Sequence, residues 1–327
     1  MADRPGYRPD RLLRYCAADI QRRTGHLRSR NVLKHDLKRH LSCWPSAPQF
    51  TPTQSSIRSD MMTQANLGTA LITGASSGIG AVYAERLARR GYELILVARN
   101  RERLAALASR ITTQTQRSVE ILAADLGTRD GLSIVEAKLK QDATITLLVN
   151  NAGVGTHTPL ADSDVDAMSR MIDLNVTALM RLTYAAVPGF LVRSKGAVIN
   201  ISSIVAIAPE ALNGVYGGSK AFVLAFSQSL HHELASKGIR IQAVLPGATA
   251  TDFWQTGGLP LENLDKSIVM SAENMVDAAL VGFDRGELVT IPSLHDIVKW
   301  DGYESARRAM SSLLSTNVPA PRYTATH

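Results

Sequence analysis

The sequence predicts an α/β fold, doubly wound, built on a single seven-stranded parallel sheet with helices on both faces. Three observations predict it. From Thr69 onward, short β-branched runs alternate with longer amphipathic stretches, the pattern of repeated βαβ units. Each intervening stretch is long enough to cross over a sheet, which a hairpin connection would not require. A glycine-rich segment closes the first strand where the first helical pattern opens, the arrangement of an anion-binding turn.

The strands are predicted, in order, at Thr69 to Thr73, Glu93 to Ala98, Val119 to Ala123, Thr146 to Asn150, Ala197 to Ile201, Arg240 to Leu245 and Leu288 to Ile291. Each is a short apolar run bounded by turn residues, as strands covered on both faces should be. Between them, apolar residues at helical spacing predict helices at Ile79 to Arg90, Glu102 to Thr115, Gly131 to Lys140, Asp164 to Ala186, Tyr216 to Ser236 and Ala272 to Arg285. In such a fold ligands bind beyond the carboxyl ends of the strands, so the residues after each strand should carry the chemistry.

Composition narrows the function classes. The formal charge of +7 suggests a nucleic-acid partner until its location is considered. Residues 1–60 hold 12 Lys and Arg against 5 Asp and Glu, while the remainder carries 24 of each sign and is neutral. We expect no nucleic-acid partner. Residues 1–61, rich in Arg, Ser and Pro, read as a basic disordered extension preceding a domain over 62–327. Met61 and Met62 stand just before the first strand, so the extension reads as sequence upstream of the domain proper. Cys16 and Cys43 both lie in it, and two cysteines without CxxC spacing indicate neither a disulfide framework nor a zinc site. No run approaches the ~18 apolar residues of a spanning helix, so a cytoplasmic protein with no membrane span is expected.

At the nucleotide end, Thr73-Gly74-Ala75-Ser76-Ser77-Gly78-Ile79-Gly80 places glycines where backbone approaches phosphate and a helix N-terminus meets its charge. The Gly-x3-Gly-x-Gly spacing differs from the Gly-x-Gly-x-x-Gly of two-domain dehydrogenases. It resembles the TGxxxGxG motif of short-chain dehydrogenases/reductases, a family of single-domain Rossmann-fold oxidoreductases. The second strand ends in Arg99, where an NAD site would place an acid for the ribose hydroxyl; a guanidinium there predicts NADP(H) in preference to NAD(H). The resemblance further implies that Asp125 and Leu126 meet adenine. It also implies that Asn150-Asn151-Ala152-Gly153, the family's NNAG segment, supports the sheet and lines the adenosine ribose through Asn151, Ala152 and Gly153.

At the chemical end, Tyr216 and Lys220 share one helix face at i, i+4 spacing. A cation so near favours the phenolate, which predicts a tyrosine lowered toward working pH and able to act as acid or base. This pair resembles the family's YxxxK, in which the lysine also binds the cofactor ribose. Ser202 and Ser203 both end the preceding strand. The family's spacing of thirteen residues before the tyrosine selects Ser203 as the carbonyl-polarising donor. Asn175 interrupts an apolar helix face, where a buried amide needs partners; its family counterpart holds a relay water for the lysine. Pro246-Gly247-Ala248-Thr249-Ala250-Thr251 resembles the PGxxxT segment, implying that Pro246, Gly247, Thr249 and Thr251 meet the nicotinamide carboxamide and phosphates.

The expectation is therefore an NADP(H)-preferring enzyme interconverting a carbonyl and an alcohol. Asn175, Ser203, Tyr216 and Lys220 are its catalytic set, and its substrate is a small molecule. Phe253, Trp254 and Leu259, in the segment where the family places a mobile lid, imply a partly apolar substrate. A non-catalytic dinucleotide-binding redox sensor is the alternative, disfavoured by the intact catalytic set. No metal is expected, since adjacent His231 and His232 point about 100° apart on a helix. Family resemblance implies a homodimer or homotetramer, with Phe222, Phe226 and Leu230, which recur at helical spacing, as core or subunit contacts.

Overall fold

The structure, a computed structural model, describes residues 67–323. The extension expected over residues 1–61, with both cysteines, lies outside the described residues.

Seven parallel strands form the sheet. β1 (Thr69–Thr73), β2 (Glu93–Ala98), β3 (Val119–Ala123), β4 (Ile145–Asn150), β5 (Gly196–Ile201) and β6 (Ile239–Val244) begin and end within a residue of the expected positions. After β6 come two minor strands, β7 (Thr249–Ala250) and β8 (Met270–Ser271), which pair with each other in a separate small sheet; β9 (Val289–Thr290) completes the main one. The order β3-β2-β1-β4-β5-β6-β9 reverses direction between β1 and β4, so the cleft for a ligand opens there.

Helices α1 (Gly78–Arg89), α2 (Arg101–Thr115), α3 (Arg129–Gln141), α4 (Val165–Ile172), α5 (Leu179–Val192), α6 (Gly214–Leu234), α7 (Phe253–Thr256), α8 (Ala272–Asp284) and α9 (Ile297–Met310) supply the outer layers. Period-two alternation divides the core between the two faces. Ala70, Ile72, Leu94 and Leu96 pack with Leu87 of α1, Leu104 of α2 and Phe283 of α8. Leu71, Ile95, Val97 and Val198 pack with Val135 of α3 and Phe190 of α5. Full burial of such a side chain stabilises by about 1.5–3 kcal/mol, so these strand positions set which way each Cβ faces.

The single helix expected over Asp164 to Ala186 is not continuous. Between α4 and α5 lies a π-helical turn, Asp173–Ala178, and α5 continues beyond Ala186 to Val192 through Pro188, whose ring lies on the solvent face. The wider turn rotates Asn175 inward, where it is 1% exposed.

A buried polar chain ties the strand ends to the helix behind them. Asn150 Nδ2 donates to Asn200 Oδ1 at 2.9 Å and to Thr183 Oγ1 at 3.0 Å, and Asn200 Nδ2 donates to Ser227 Oγ at 2.9 Å. Asn150 Oδ1 stays without a partner among the described residues, but the amide donors of both asparagines are engaged, and a slip in register would strand them in apolar surroundings. β4, β5 and α6 are thereby held in fixed relation at the carboxyl edge of the sheet.

Candidate active site

The turn after β1 is built around Thr73. Its Oγ1 donates to Val149 C=O at 3.2 Å and accepts from the N–H groups of Asn151 and Ala152 at 2.9 and 3.0 Å. Asn151 Nδ2 returns to Thr73 C=O at 2.9 Å, so the Thr73 and Asn151 segments brace each other across the switch point. Gly74 and Gly78 have φ of +64° and +53°, a region costly to any residue with a Cβ. A Cβ on Gly80 would run into Gly74 C=O. Ser77 sits at the N-cap of α1 without capping it through its side chain, and the first turn of α1 holds no acid. The unpaired N–H groups and positive end of the helix dipole are left to an anion, and Ser76 and Ser77 leave their hydroxyls beside it. These residues fit the pyrophosphate of a dinucleotide.

Arg99 is exposed at the end of β2 and makes no ion pair among the described residues. Asn100 caps α2, accepting from Arg103 N–H at 2.8 Å. Arg103 itself reaches Asp252 at 3.6 Å. Asp125 Oδ1 accepts from Gly127 N–H at 2.9 Å, whereas the cap of α3 is Thr128. Leu126 is buried with Ala124, Leu132 and Val135 and lines a small recess together with Thr73 and Ala152. Ala152 and Gly153 line the other wall, and Thr251 lies against the glycine turn, its Cγ2 being 3.0 Å from where a Gly78 Cβ would stand.

Beyond β5, Tyr216, Ser203 and Lys220 come together. Asn213 positions the tyrosine by capping α6: its Oδ1 accepts from Val215 and Tyr216 N–H at 2.9 and 3.4 Å, while Nδ2 donates to Thr158 C=O at 2.6 Å. The expectations from sequence missed Asn213; an Asn followed by Gly at the start of an apolar helix was its signal. The Ser203 side chain lies beside the Tyr216 hydroxyl, where it favours the ionised phenol. Ser202 instead donates to Lys220 C=O at 2.8 Å, which fastens α6 to β5. Pro246 C=O accepts from Ile204 N–H at 3.0 Å and, at 3.4 Å, from Ser203 Oγ, placing the Pro246-Gly247 turn beside that serine. Thr249 Oγ1 donates to Gly247 C=O at 3.1 Å.

One expectation about these groups is overturned. Burial pushes the Tyr216 phenol up to about 12, against a smaller opposing effect of Ser203, rather than lowering it. Lys220 Nζ lies 5.8 Å from the centre of the tyrosine ring and donates to Ile201 C=O at 3.0 Å. It is itself deeply buried, which pulls it down to about 8 and weakens it as a source of positive charge. In this state the tyrosine is a held proton, suited to donation.

Asn175 Oδ1 accepts from Val154 N–H at 2.9 Å, and Nδ2 donates to Val154 C=O at 2.8 Å and Ser219 Oγ at 3.1 Å. Both amide hydrogens are thus used within the protein. Asn175 Oδ1 and Lys220 Nζ flank Gly153, at 3.1 and 3.5 Å from the place a Cβ would take there. Next to Tyr216 opens a narrow recess, with Gly155, Thr156 and His157 on one side and Phe253, Trp254, Gly257 and Leu259 on the other, and Leu212 between. Among the described residues no group of His, Cys, Asp and Glu could hold a metal ion, and no helix is long and apolar enough to cross a membrane.

Comparison with known proteins agrees with this geometry. Residues 68–258 match the family model of the short chain dehydrogenases. A short-chain dehydrogenase from Sphingobium yanoikuyae, solved in complex with NADPH, is 48% identical over 79% of this chain and 100% of its own, with a TM-score of 0.76. A bulky-bulky ketone specific alcohol dehydrogenase from Comamonas testosteroni is 45% identical over 80% of this chain and 100% of its own, with a TM-score of 0.73. A very-long-chain 3-oxoacyl-CoA reductase from Anas platyrhynchos is 39% identical over 187 residues, 56% of this chain. The match spans 60% of that relative's length. All three relatives are oxidoreductases, and none supports the alternative of a non-catalytic sensor.

Proposed function

We propose, from the premise that this chain belongs to the short-chain dehydrogenase/reductase family, that it is an NADPH-preferring reductase of ketones with apolar substituents. Oxidoreductase action at a CH–OH or carbonyl group follows from that membership; cofactor preference and substrate are our reading. The observation that carries it is the grouping of Tyr216 with Ser203 and Lys220 at the mouth of an apolar recess, in a fold whose first helix leaves an uncapped N-terminus to a phosphate. The NADPH-bound relative and the ketone-specific relative support it.

Bound in the cleft, NADPH would supply hydride to the carbonyl carbon. The chain's own residues supply the rest. Ser203 donates to the carbonyl oxygen where negative charge develops, and Tyr216 delivers its proton to that oxygen, yielding the alcohol. Burial keeps the phenol protonated at neutral pH, so donation needs no prior charging step. Lys220 holds the cofactor ribose and returns a proton toward Tyr216, with Asn175 offering the remaining lone pair of Oδ1 to a relay water. Arg99 meets the 2′-phosphate, and Asp125 the adenine.

Two copies associate, in this reading, through α5 and α6. There Tyr184, 68% exposed, stacks on Phe226 at 6.5 Å, and Phe226 on Phe222 at 5.5 Å, forming an aromatic row at the surface. The test of function is NADPH consumption by the full chain with a panel of apolar ketones. Turnover that requires Tyr216 supports the reading; NADPH binding without turnover of any ketone overturns it.

A further inference from the structure

The geometry points to Asn213 as a positioning residue that fixes the Tyr216 phenol and the wall of the recess to one another, one through each end of its amide. The inference rests on the reading of Tyr216 as proton donor to a ketone. Asn213 stands at the N-cap of α6, three residues before the tyrosine, and is 6% exposed. A buried amide is costly unless its donor and its acceptor are both used. Here Oδ1 takes the N–H groups of Val215 and Tyr216, and Nδ2 reaches Thr158 C=O at 2.6 Å and Ser163 Oγ at 3.2 Å. The orientation of the amide is forced, since two N–H groups demand an oxygen at one end and a carbonyl demands a nitrogen at the other.

Capping alone does not call for asparagine. A cap needs an acceptor, which Ser or Asp supplies about as well. What asparagine adds is a donor, and it is directed fifty-five residues away in sequence, onto the segment that follows β4. Gly155, Thr156 and His157 of that segment line the recess, as does Leu212, the neighbour of Asn213. The segment is braced on itself at Thr158, whose N–H donates to Thr156 Oγ1 at 3.1 Å and whose hydroxyl shares a hydrogen bond with that of Thr156 at 2.9 Å. Ser163 Oγ, which accepts from Asn213, donates to Pro159 C=O at 2.8 Å. Asn213 thus holds a small folded unit by its carbonyl and its brace.

Wall and phenol are in contact, so their relative placement bears on the reaction. A Cβ on Gly155 would come within 3.0 Å of Tyr216 Cε2, which puts that segment against the tyrosine ring. Val154 and Leu212 pack with the ring in one apolar cluster. A ketone in the recess rests on this wall while its oxygen meets the hydroxyl, and a misplacement of about 1 Å is enough to slow a step that depends on such alignment. Oδ1 places the phenol through the first turn of α6, and Nδ2 places the wall. The two roles are separable: losing the first displaces the acid and lowers kcat, whereas losing the second loosens the seat of the ketone and raises KM.

Three substitutions at this one position separate the roles, read as kcat and KM for a ketone that the wild type reduces, with NADPH and the full chain. Asn213→Asp and Asn213→Ser keep an acceptor for the helix N-terminus and lose the donor. Each should raise KM by about three- to tenfold, the worth of one hydrogen bond, with kcat within about threefold of wild type. Asn213→Ala loses both ends and should add a fall in kcat of roughly ten- to a hundredfold. Ser163→Ala removes the brace beside Thr158 and should raise KM by itself, yet add little to Asn213→Asp. NADPH affinity, followed by fluorescence, should stay at the wild-type value in each and reports that the variants fold. A purely structural asparagine would instead reduce the folded fraction, lowering kcat alike in all three and leaving KM alone; that result overturns the inference, as does a wild-type KM in both Asn213→Asp and Asn213→Ser. Should Asn213→Ala fail to fold, those two variants and Ser163→Ala decide. Wild type that reduces no ketone overturns the proposed function and this inference with it, whereas wild-type turnover with an unmoved KM in the variants overturns this inference alone.

Discussion

The side chain of Asn175 grips Val154 at both backbone groups, accepting from its N–H at 2.9 Å and donating to its C=O at 2.8 Å. A π-helical turn thereby clamps the strand end that carries Asn151 to Gly153. Asn175→Ala leaves the two part-buried backbone groups of Val154 and the buried Ser219 Oγ without that partner. Unfolding free energy should fall by about 2–4 kcal/mol, since each stranded group costs about 1–3 kcal/mol. NADPH affinity should fall with it, as the Gly153 turn loosens. Denaturant titration and cofactor binding check both; a variant with wild-type stability would show that the clamp does not hold the turn.

Ser203 lies beside the Tyr216 hydroxyl, and removing either side chain should damage turnover more than binding. Tyr216→Phe should lower kcat by roughly a hundredfold or more, the usual worth of a positioned acid, with NADPH affinity retained. Ser203→Ala should cost about a hundredfold through loss of one donor to the oxygen. Single-turnover measurements with saturating NADPH distinguish the two effects from changes in binding. Wild-type rates in Tyr216→Phe would remove the tyrosine from the mechanism.

The sheet was legible in the sequence because strands buried on both faces must be nearly continuous apolar runs. β1 and β2 occupy the expected residues without adjustment, and so does β3, an edge strand whose side chains stay partly exposed. The π-helical turn was not legible: one extra residue in a turn leaves the apolar period almost unchanged, and only the buried polar Asn175 marked the place. Pro188 likewise reads as a helix end, but its exposed position lets α5 continue past it. Spacing brought Lys220 next to Tyr216 correctly, yet the sign of the tyrosine's shift depends on burial, which spacing does not carry. Phe253 lies against Gly155 although the two are distant in sequence, so no local pattern could announce the contact.

Burial of Lys220 has a consequence for stability. Its ammonium is held down to about 8 in the folded chain against an ordinary 10.5, so between those values the unfolded chain binds more protons. Stability from this group rises as pH climbs from about 8 to 10.5, and below pH 8 the buried charge costs on the order of 3 kcal/mol. Tyr216 acts oppositely, being raised from 10.0 to about 12, so its contribution is present below pH 10 and lost as pH rises through 12. Lys220→Met should therefore melt above wild type at pH 7, by an amount that shrinks toward pH 10. A pH-independent gap would show that the ammonium is not desolvated.

The aromatic row of Tyr184, Phe222 and Phe226 predicts a concentration-dependent assembly. Tyr184→Glu with Phe226→Glu places two charges on that face, where burial against a second copy would be prohibitive. Sedimentation should show the variant as monomer at concentrations where wild type is dimer or larger. An unchanged assembly would put the interface elsewhere.

Arg99, just before α2, and Arg103, in its first turn, stand four residues apart, but their surroundings differ, and only one should govern cofactor choice. Arg103 is engaged with Asp252 at 3.6 Å, an exposed pair worth less than about 1 kcal/mol. Arg99 is exposed at the strand end where a ribose 2′-phosphate would lie, and no carboxylate among the described residues competes for it. A charge-assisted bond contributes about 1.5–3 kcal/mol, so Arg99→Ala should weaken NADPH by roughly ten- to a hundredfold. NADH, which lacks that phosphate, should bind as before. Arg103→Ala should change neither affinity by more than about threefold. Fluorescence titration of both variants with both cofactors resolves the assignment: loss of NADPH preference in Arg103→Ala instead would move the phosphate site onto the helix, and an unaltered preference in both would place its recognition in the glycine turn.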